Sequence, residues 1–337
     1  MLIISSAPVR ISLIGGGTDI PLYFLRHGGS VISATINLCA QAVVKTSSKP
    51  IIRLTLQDYS DKTETYPVKS KLAYDGSVFD LFKAAINKMK ISQGLDITIK
   101  GNFPPGSGLG SSSAAIVALI GALSKLTNRN INPRNIAKTA IEIEREILKV
   151  PGGWQDQYTS VYGGINNIKF YKNKRVQITP VNISANTINK LEKSLLIFDL
   201  GGRRSEKTQQ ESLLKNLDKE ESLKHLETLK DMTKKTIRFL EKDNTDPFGT
   251  ILHKSWLIKK KLNPIATNPK IDHIYNIART NGAVGGKILG SGGGGCILLN
   301  VPVKHQKQVT SELQKLGAKR ISFRFWNSGL QVKSVQQ

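Results

Sequence analysis

Cysteine is nearly absent: Cys39 and Cys296 are the only two in 337 residues. Two cannot build a disulfide framework, and the lack of any C-x-x-C pair excludes the usual zinc and redox patterns. Aromatic residues make up 6% of the chain, so stacking platforms for single-stranded nucleic acid are scarce. Acids are few as well: 25 Asp and Glu face 49 Lys and Arg, leaving a formal charge of +24. Long apolar runs are missing, and the stretch 116–123 falls far short of the roughly 20 residues that span a bilayer. The opening residues, MLIISSAPVR, place no basic segment ahead of their apolar ones, so no secretory signal is expected.

What is present is ordinary for a folded protein. A hydrophobic content of 39% argues against disorder, and the length suggests two domains, each with a core. A cytoplasmic protein with no membrane segment is expected. The charge is the oddity, because a strongly basic balance is common among nucleic-acid binders. Residues 301–337 hold seven Lys or Arg and one acid, Glu312, while residues 190–261 mix both signs, as long solvated helices do. No block of five like charges stands out. A solvated basic surface with no specific nucleic-acid partner is the plainer reading.

Along the chain, Leu2–Ile14 and residues 31–46 read as strands around the turn-rich Gly15, Gly16, Gly17, Thr18 and Asp19. Further strands are expected at 51–56, 95–100 and 176–183. Helices are expected at 80–89 and at the almost wholly apolar 112–126. Asn132 suits an N-cap with Pro133 in the first turn, opening a helix to about residue 149 with Ile136, Ala140, Ile143 and Ile147 as its stripe. Beyond a boundary near 185–193 come a strand at 194–200, helical patterns over 206–262 broken near 244–247, a helix at 271–281, a strand at 296–301 and a final helix–strand pair. The fold class expected is α+β in two domains, 1–188 and 189–337.

Three glycine-rich loops carry the chemistry. In Pro104 to Ala114, three glycines precede three consecutive serines that open the apolar helix. Bare backbone N–H groups and a helix N-terminus make a phosphate cradle, and the serine hydroxyls could complete a Mg²⁺ shell. The Gly-Lys-Ser/Thr of a Walker A loop is missing. Gly290, Gly292 and Gly295 satisfy G-x-G-x-x-G, but a strand follows where a dinucleotide fingerprint needs a helix. A glycine hairpin touching a ligand fits better. In the third loop, Asp19 follows three glycines and Thr18, a set matched to sugar hydroxyls but equally to a turn or cap. Two acids complete the candidates. Glu144 borders the buried face of its helix, and Asp156 sits among Trp154, Gln155 and Tyr158. They suit a metal ligand and a base for phosphoryl transfer, respectively; a solvated surface carboxylate remains the alternative for Glu144.

Together these motifs resemble the GHMP small-molecule kinases. The family's phosphate loop, Pro-x-x-x-Gly-Leu-Gly-Ser-Ser, is matched by Pro104 to Ser112. Its N-terminal motif is similar to Ala7-Pro8-Val9-Arg10-Ile11-Ser12-Leu13 with Thr18 and Asp19, and its C-terminal glycine motif to Gly290 to Gly295. Gly152 to Tyr158, the run Glu142 to Glu146 and Ser255-Trp256 with Lys259-Lys260 resemble most the branch that phosphorylates the anomeric hydroxyl of a heptose 7-phosphate. The resemblance implies an N-terminal domain like domain 2 of ribosomal protein S5, with a left-handed crossover, and a ferredoxin-like C-terminal domain. It implies that Pro105, Gly106, Ser107, Gly108, Leu109, Gly110, Ser111, Ser112 and Ser113 wrap the ATP triphosphate, with Ser112 and Glu144 on Mg²⁺. Asp156 would be the base and Arg10 would steady the reacting hydroxyl. Gly17, Thr18 and Asp19 would bind sugar hydroxyls, with Gly292, Gly293 and Lys287 over the reacting phosphates. Arg203 or Arg204 would take the sugar's own phosphate, although Asp199 to Arg204 departs from that branch's pattern. A small sugar phosphate is the expected partner, and a homodimer stays open. The rivals are a 1-kinase of an unphosphorylated sugar and a basic nucleic-acid binder.

Overall fold

A computed structural model describes residues 1–57, 62–68, 70–104, 106–130, 132–202, 206–217 and 219–335. Pro105, Arg203 and Arg204, assigned above to the phosphate loop and to a sugar phosphate, lie outside the described residues.

The first sheet grows from a long hairpin, β1 (Leu2–Ile14) and β2 (Gly29–Ser47), joined through the short helix α1 (Pro21–His27). Alternate β1 side chains up to Ala7 are buried and the rest of the strand is buried throughout, as expected where a sheet is covered on both faces. A register shift between Pro8 and Arg10 breaks the ladder with β2, and such irregularities re-aim side chains. That break is where Arg10 turns toward the cleft. Then follow β3 (Ile51–Leu56), β4 (Lys62–Pro67), α2 (Asp80–Met89) and β5 (Gly94–Gly101), with β3 parallel to β5. β2 pairs with β5 along its second half and with β6 (Ile165–Phe170) along its first, and β6 pairs with β7 (Val176–Pro180).

Between these strands lie α3 (Ser111–Leu126), α4 (Pro133–Ile141) and α5 (Gln155–Tyr162). Residues 113–124 of α3 are buried without a break, so this helix is the central pillar against β1 and β2. Asn132 caps α4 through Oδ1, which accepts from Arg134 and Asn135 N–H. The helix expected to reach about residue 149 instead ends as α-helix at Ile141 and continues as a π-helical stretch, Glu142–Ile147. π-turns are rare and collect at functional sites.

The second half holds α6 (Ala185–Ser194), β8 (Leu195–Asp199), α7 (Glu206–Asn216), α8 (Glu220–Leu240), α9 (Phe248–Leu262), α10 (Pro269–Thr280), β9 (Gly285–Ile288), β10 (Cys296–Asn300), α11 (Gln306–Lys315) and β11 (Lys319–Ile321). Its antiparallel sheet runs β11-β8-β10-β9. In chain order that is 4-1-3-2, the ferredoxin-like arrangement expected. The expected solvated helices are corrected here: Phe248, Leu252 and Trp256 of α9 are fully buried, and α8 buries Leu226 and Leu229. The last strand, β12 (Gln331–Val335), returns to pair antiparallel with β1. Helices α1, α5 and α6 and strands β4, β6 and β12 were not foreseen from the sequence, and α6 lies where the boundary near 185–193 was expected.

Candidate active site

Both halves wall one cleft. Its larger cavity, about 550 Å³, is lined by the loop before α3, the π-helical stretch, the segment before α2 and the β9–β10 hairpin. The two glycine loops meet backbone to backbone. At Gly108 (φ +76°) a Cβ would fall 2.7 Å from Leu289 O, and at Gly290 (φ +64°) 2.7 Å from the Gly108 Cα. Cys296 N–H donates to Ser107 O at 2.9 Å, and Arg10 N–H to Leu109 O at 2.8 Å. The loop is thereby pinned on one side by the hairpin and on the other by β1.

Arg10 and Asp156 sit at the centre. The Arg10 Nε and Nη2 donate to the two Asp156 oxygens at 2.7 and 2.5 Å, and Nη1 donates to Gly108 O at 2.6 Å. Such a two-pronged pair fixes direction as well as charge. Glu144, expected to border the buried face of its helix, is 4% exposed, which excludes the solvated surface carboxylate. Its Oε2 accepts from Ser113 Oγ at 2.9 Å and from Gln157 Nε2, while its Oε1 stands 3.4 Å from Ser112 Oγ.

No cluster of three or more His, Cys, Asp or Glu is placed to hold a metal among the described residues. Magnesium commonly takes one or two protein ligands and completes its shell with water and phosphate oxygens. The hydroxyl–carboxylate pair of Ser112 and Glu144, facing the phosphate loop, fits that donor set.

A smaller cavity, about 80 Å³, adjoins the first and shares Arg10, Asp156 and Arg145 with it. Asp19 lines it. Its Oδ1 accepts from Gly17 N–H, and its Oδ2 accepts from the backbone and side-chain amides of Gln155 at 3.2 and 3.1 Å. Burial, and secondarily the charge of Asp156, push the Asp19 carboxyl above its ordinary range. Gly153 touches Asp19 so closely that a Cβ there would lie 1.8 Å from Oδ2. Arg145 braces this turn through Gly153 O and Val150 O.

Two lysines complete the smaller cavity. Lys287 donates to Leu13 O at 3.2 Å; burial first and Arg10 second lower its pKa to about 8, against a raising pull from Asp19. Lys259 donates to Ile288 O at 3.0 Å and Gly290 O at 2.6 Å, and burial, then Lys287 and Arg10, drive its pKa well below the ordinary lysine value. Its place was legible: it stands three residues after Trp256 on the stripe Phe248, Leu252, Trp256, so a cation falls on a buried face. Gln155 and Arg145 carried no comparable signal, because their roles depend on the chain returning to Asp19.

Comparison with known proteins identifies the frame. Residues 76–164 match the GHMP kinases N terminal domain, and residues 236–319 the GHMP kinases C terminal domain. A D-glycero-alpha-D-manno-heptose 7-phosphate kinase of Campylobacter jejuni is 33% identical over 331 residues, covering 97% of each chain. The chain belongs to the GHMP kinase family. Kinase chemistry with ATP as the donor follows from that membership. A crystal structure described as a D-glycero-D-manno-heptose 1-phosphate kinase from Bacteroides thetaiotaomicron superposes with a TM-score of 0.84 at 26% identity, covering 99% of this chain and 100% of that one. Lactococcus lactis galactokinase shares the fold, with a TM-score of 0.78 at 20% identity, covering 98% and 95%.

Most of the expected site residues converge on this family's cleft. Gly106, Gly108, Gly110, Ser111, Ser112, Ser113, Glu144, Asp156, Arg10 and Gly292 line the larger cavity, and Gly17, Asp19 and Lys287 the smaller. Ser107 and Leu109 bury their side chains completely, leaving only backbone to offer. Thr18 is a correction. Its hydroxyl lies 2.8 Å from Gly15 O and 2.9 Å from Ser30 O, which share its one proton, it accepts from Ser30 N–H, and the residue is wholly buried. It braces the loop and has no lone partner left for a sugar. Gly293 is likewise engaged, its N–H donating to Ala266 O at 2.7 Å. No described helix is long and apolar enough to cross a membrane.

Proposed function

We propose that this kinase transfers the ATP γ-phosphoryl group to the anomeric C1 hydroxyl of a sugar phosphate, D-glycero-D-manno-heptose 7-phosphate, giving the 1,7-bisphosphate for nucleotide-activated heptose synthesis. The observation that carries it is the Arg10–Asp156 pair at the junction of the two cavities. There a hydroxyl from the smaller chamber faces a phosphate from the larger. Four cations line the smaller chamber, Arg10, Arg145, Lys259 and Lys287, which suits an anionic sugar. The name of the Campylobacter jejuni relative points to the same substrate.

In this reading the larger cavity takes ATP. The backbone N–H groups of Gly106 to Ser113 receive its phosphates, and Leu56, Val78, Leu81 and Leu148 offer apolar surface for the base. Ser112 and Glu144 would hold Mg²⁺, which neutralises charge on the phosphates when bound. Asp156, held in direction by Arg10, takes the C1 hydroxyl proton as the new O–P bond forms and the bond to ADP breaks. The Arg10 guanidinium offsets charge on the attacking oxygen. Asp19 and the Gly17 amide orient the sugar ring. We place the division between the domains at residues 188 and 189, and the enzyme in the cytoplasm.

A substrate panel tests the reading. ADP release with Mg·ATP is followed for heptose 7-phosphate, heptose 1-phosphate, unphosphorylated heptose, fucose and galactose, and ³¹P NMR locates the new phosphate. Preference for the 7-phosphate with label at C1 is expected. A clear preference for an unphosphorylated sugar, or a product phosphorylated elsewhere, overturns the assignment.

A further inference from the structure

A groove of about 800 Å³ lies away from the cleft, between the β6–β7 hairpin, the end of α1 and α8. Its size falls within the range of small-molecule sites. Six cationic or titratable nitrogen side chains line it, His27, Lys169, Lys172, Lys230, Lys234 and Arg238, and no carboxylate does. Glu227 and Asp231 partly neutralise Lys230 and Lys234, whereas Lys169, Lys172 and Arg238 have no described partner.

The floor of the groove is built as well as charged. Asn167 is 8% exposed, and its Oδ1 accepts from Ser30 Oγ at 2.8 Å. Thr233 Oγ1 lies 3.0 Å from Ser30 Oγ and 2.7 Å from Lys230 O, which share its one proton. This relay fixes the amide so that Nδ2, which has no described partner, is the group left to face the groove that Asn167 lines. Nδ2 is not sealed in the core, so it can donate to an acceptor oxygen seated in the groove. Excess charge alone, spread over the whole surface, explains exposed lysines but not this donor.

We propose that the groove is a second anion site, taking a small phosphorylated molecule whose oxygens accept from Asn167 Nδ2 and pair with Lys169, Lys172 and Arg238. Occupancy is communicated to the active site, because the same Ser30 holds Thr18 through its N–H and C=O. Thr18 carries the loop of Gly17 and Asp19 described above.

The test uses the full enzyme with its cleft saturated by a non-hydrolysable ATP analogue, and inorganic pyrophosphate as the probe. Binding is followed by calorimetry, with amide hydrogen exchange locating it. The expected footprint is slowed exchange at residues 15–30 and 167–173. The exposed pair Lys169→Glu with Arg238→Glu weakens binding at least about tenfold, roughly 1.4 kcal/mol. Asn167→Asp, which sets a negative charge on the floor, does the same. The control Lys304→Glu with Lys307→Glu, which alters overall charge equally, leaves affinity within about twofold. Three results overturn the proposal: no footprint in those segments, equal loss in the control, or tighter binding by duplex DNA than by pyrophosphate at physiological salt.

Discussion

Arg10→Lys separates charge from geometry at the centre of the cleft. Arginine makes three contacts there, two to the Asp156 carboxylate and one to Gly108 O, all within 2.7 Å. A lysine keeps the positive charge but has one nitrogen on a narrower head, so it retains one of these contacts and loses two. Hydrogen bonds involving a charged partner contribute about 1.5–3 kcal/mol each. Two lost contacts therefore cost at least about 3 kcal/mol, or roughly a hundredfold or more in kcat if they act in the transition state. The assay is steady-state kinetics with both substrates varied, beside thermal unfolding to establish that the variant is folded. KM for ATP is expected to move little, because the carbonyl contact supports the loop only from one side. The double variant with Asp156→Asn should lose little more than the worse single one, since the two side chains act as a unit. A folded Arg10→Lys enzyme with kcat within about threefold of the parent would refute the reasoning.

Other perturbations address different parts of the site. Lys259→Met removes the strut to Ile288 O and Gly290 O while also removing a charge disfavoured by burial; kcat should fall about tenfold or more with no loss of melting temperature. A melting temperature that drops with unchanged kcat would assign Lys259 a purely structural role. Lys287, with its pKa near 8, should make KM for the anionic sugar rise as pH passes about 8, and Lys287→Met should lack that limb. The stability sign is opposite: the unfolded chain holds the Lys287 proton up to about pH 10.4, so this group's contribution grows between about pH 8 and 10.4. Urea unfolding across that range measures it. Trp256→Ala empties a fully buried ring position and should cost about 3–5 kcal/mol in unfolding free energy.

What could be read in advance divides along a physical line. The phosphate loop was legible because Gly108 and Gly110 adopt positive φ and leave the backbone bare, properties that belong to the residue type itself. Asp156 was legible from its company, but not its two-pronged hold by Arg10, which depends on the broken register of β1. Glu144 was visible as a neighbour of the apolar stripe; the π-helical stretch that carries it was announced by no local pattern. Thr18 was misread because its hydroxyl is consumed by Ser30, across a hairpin whose register only the fold sets. β12 was invisible for a similar reason: residues 331–335 are mostly exposed and carry no alternation, so their place depends on the free edge of β1.

The charge of +24 is the feature least tied to local structure, and it has a kinetic consequence. The proposed substrates are anions, and the cations that touch the smaller chamber are four, Arg10, Arg145, Lys259 and Lys287. Lys207 lines the larger cavity; most of the others touch neither chamber and act on the cleft only through the long-range field, which salt screens over about 10 Å at 0.1 M and about 3 Å at 1 M. A field steers encounter without altering bound geometry. Raising salt from about 0.05 to about 0.5 M should therefore lower kcat/KM for both substrates several-fold and leave kcat nearly flat. Were the surplus lysines mere solubilising surface, kcat/KM would be as flat as kcat. Were they needed to hold the cleft closed, kcat would fall with it.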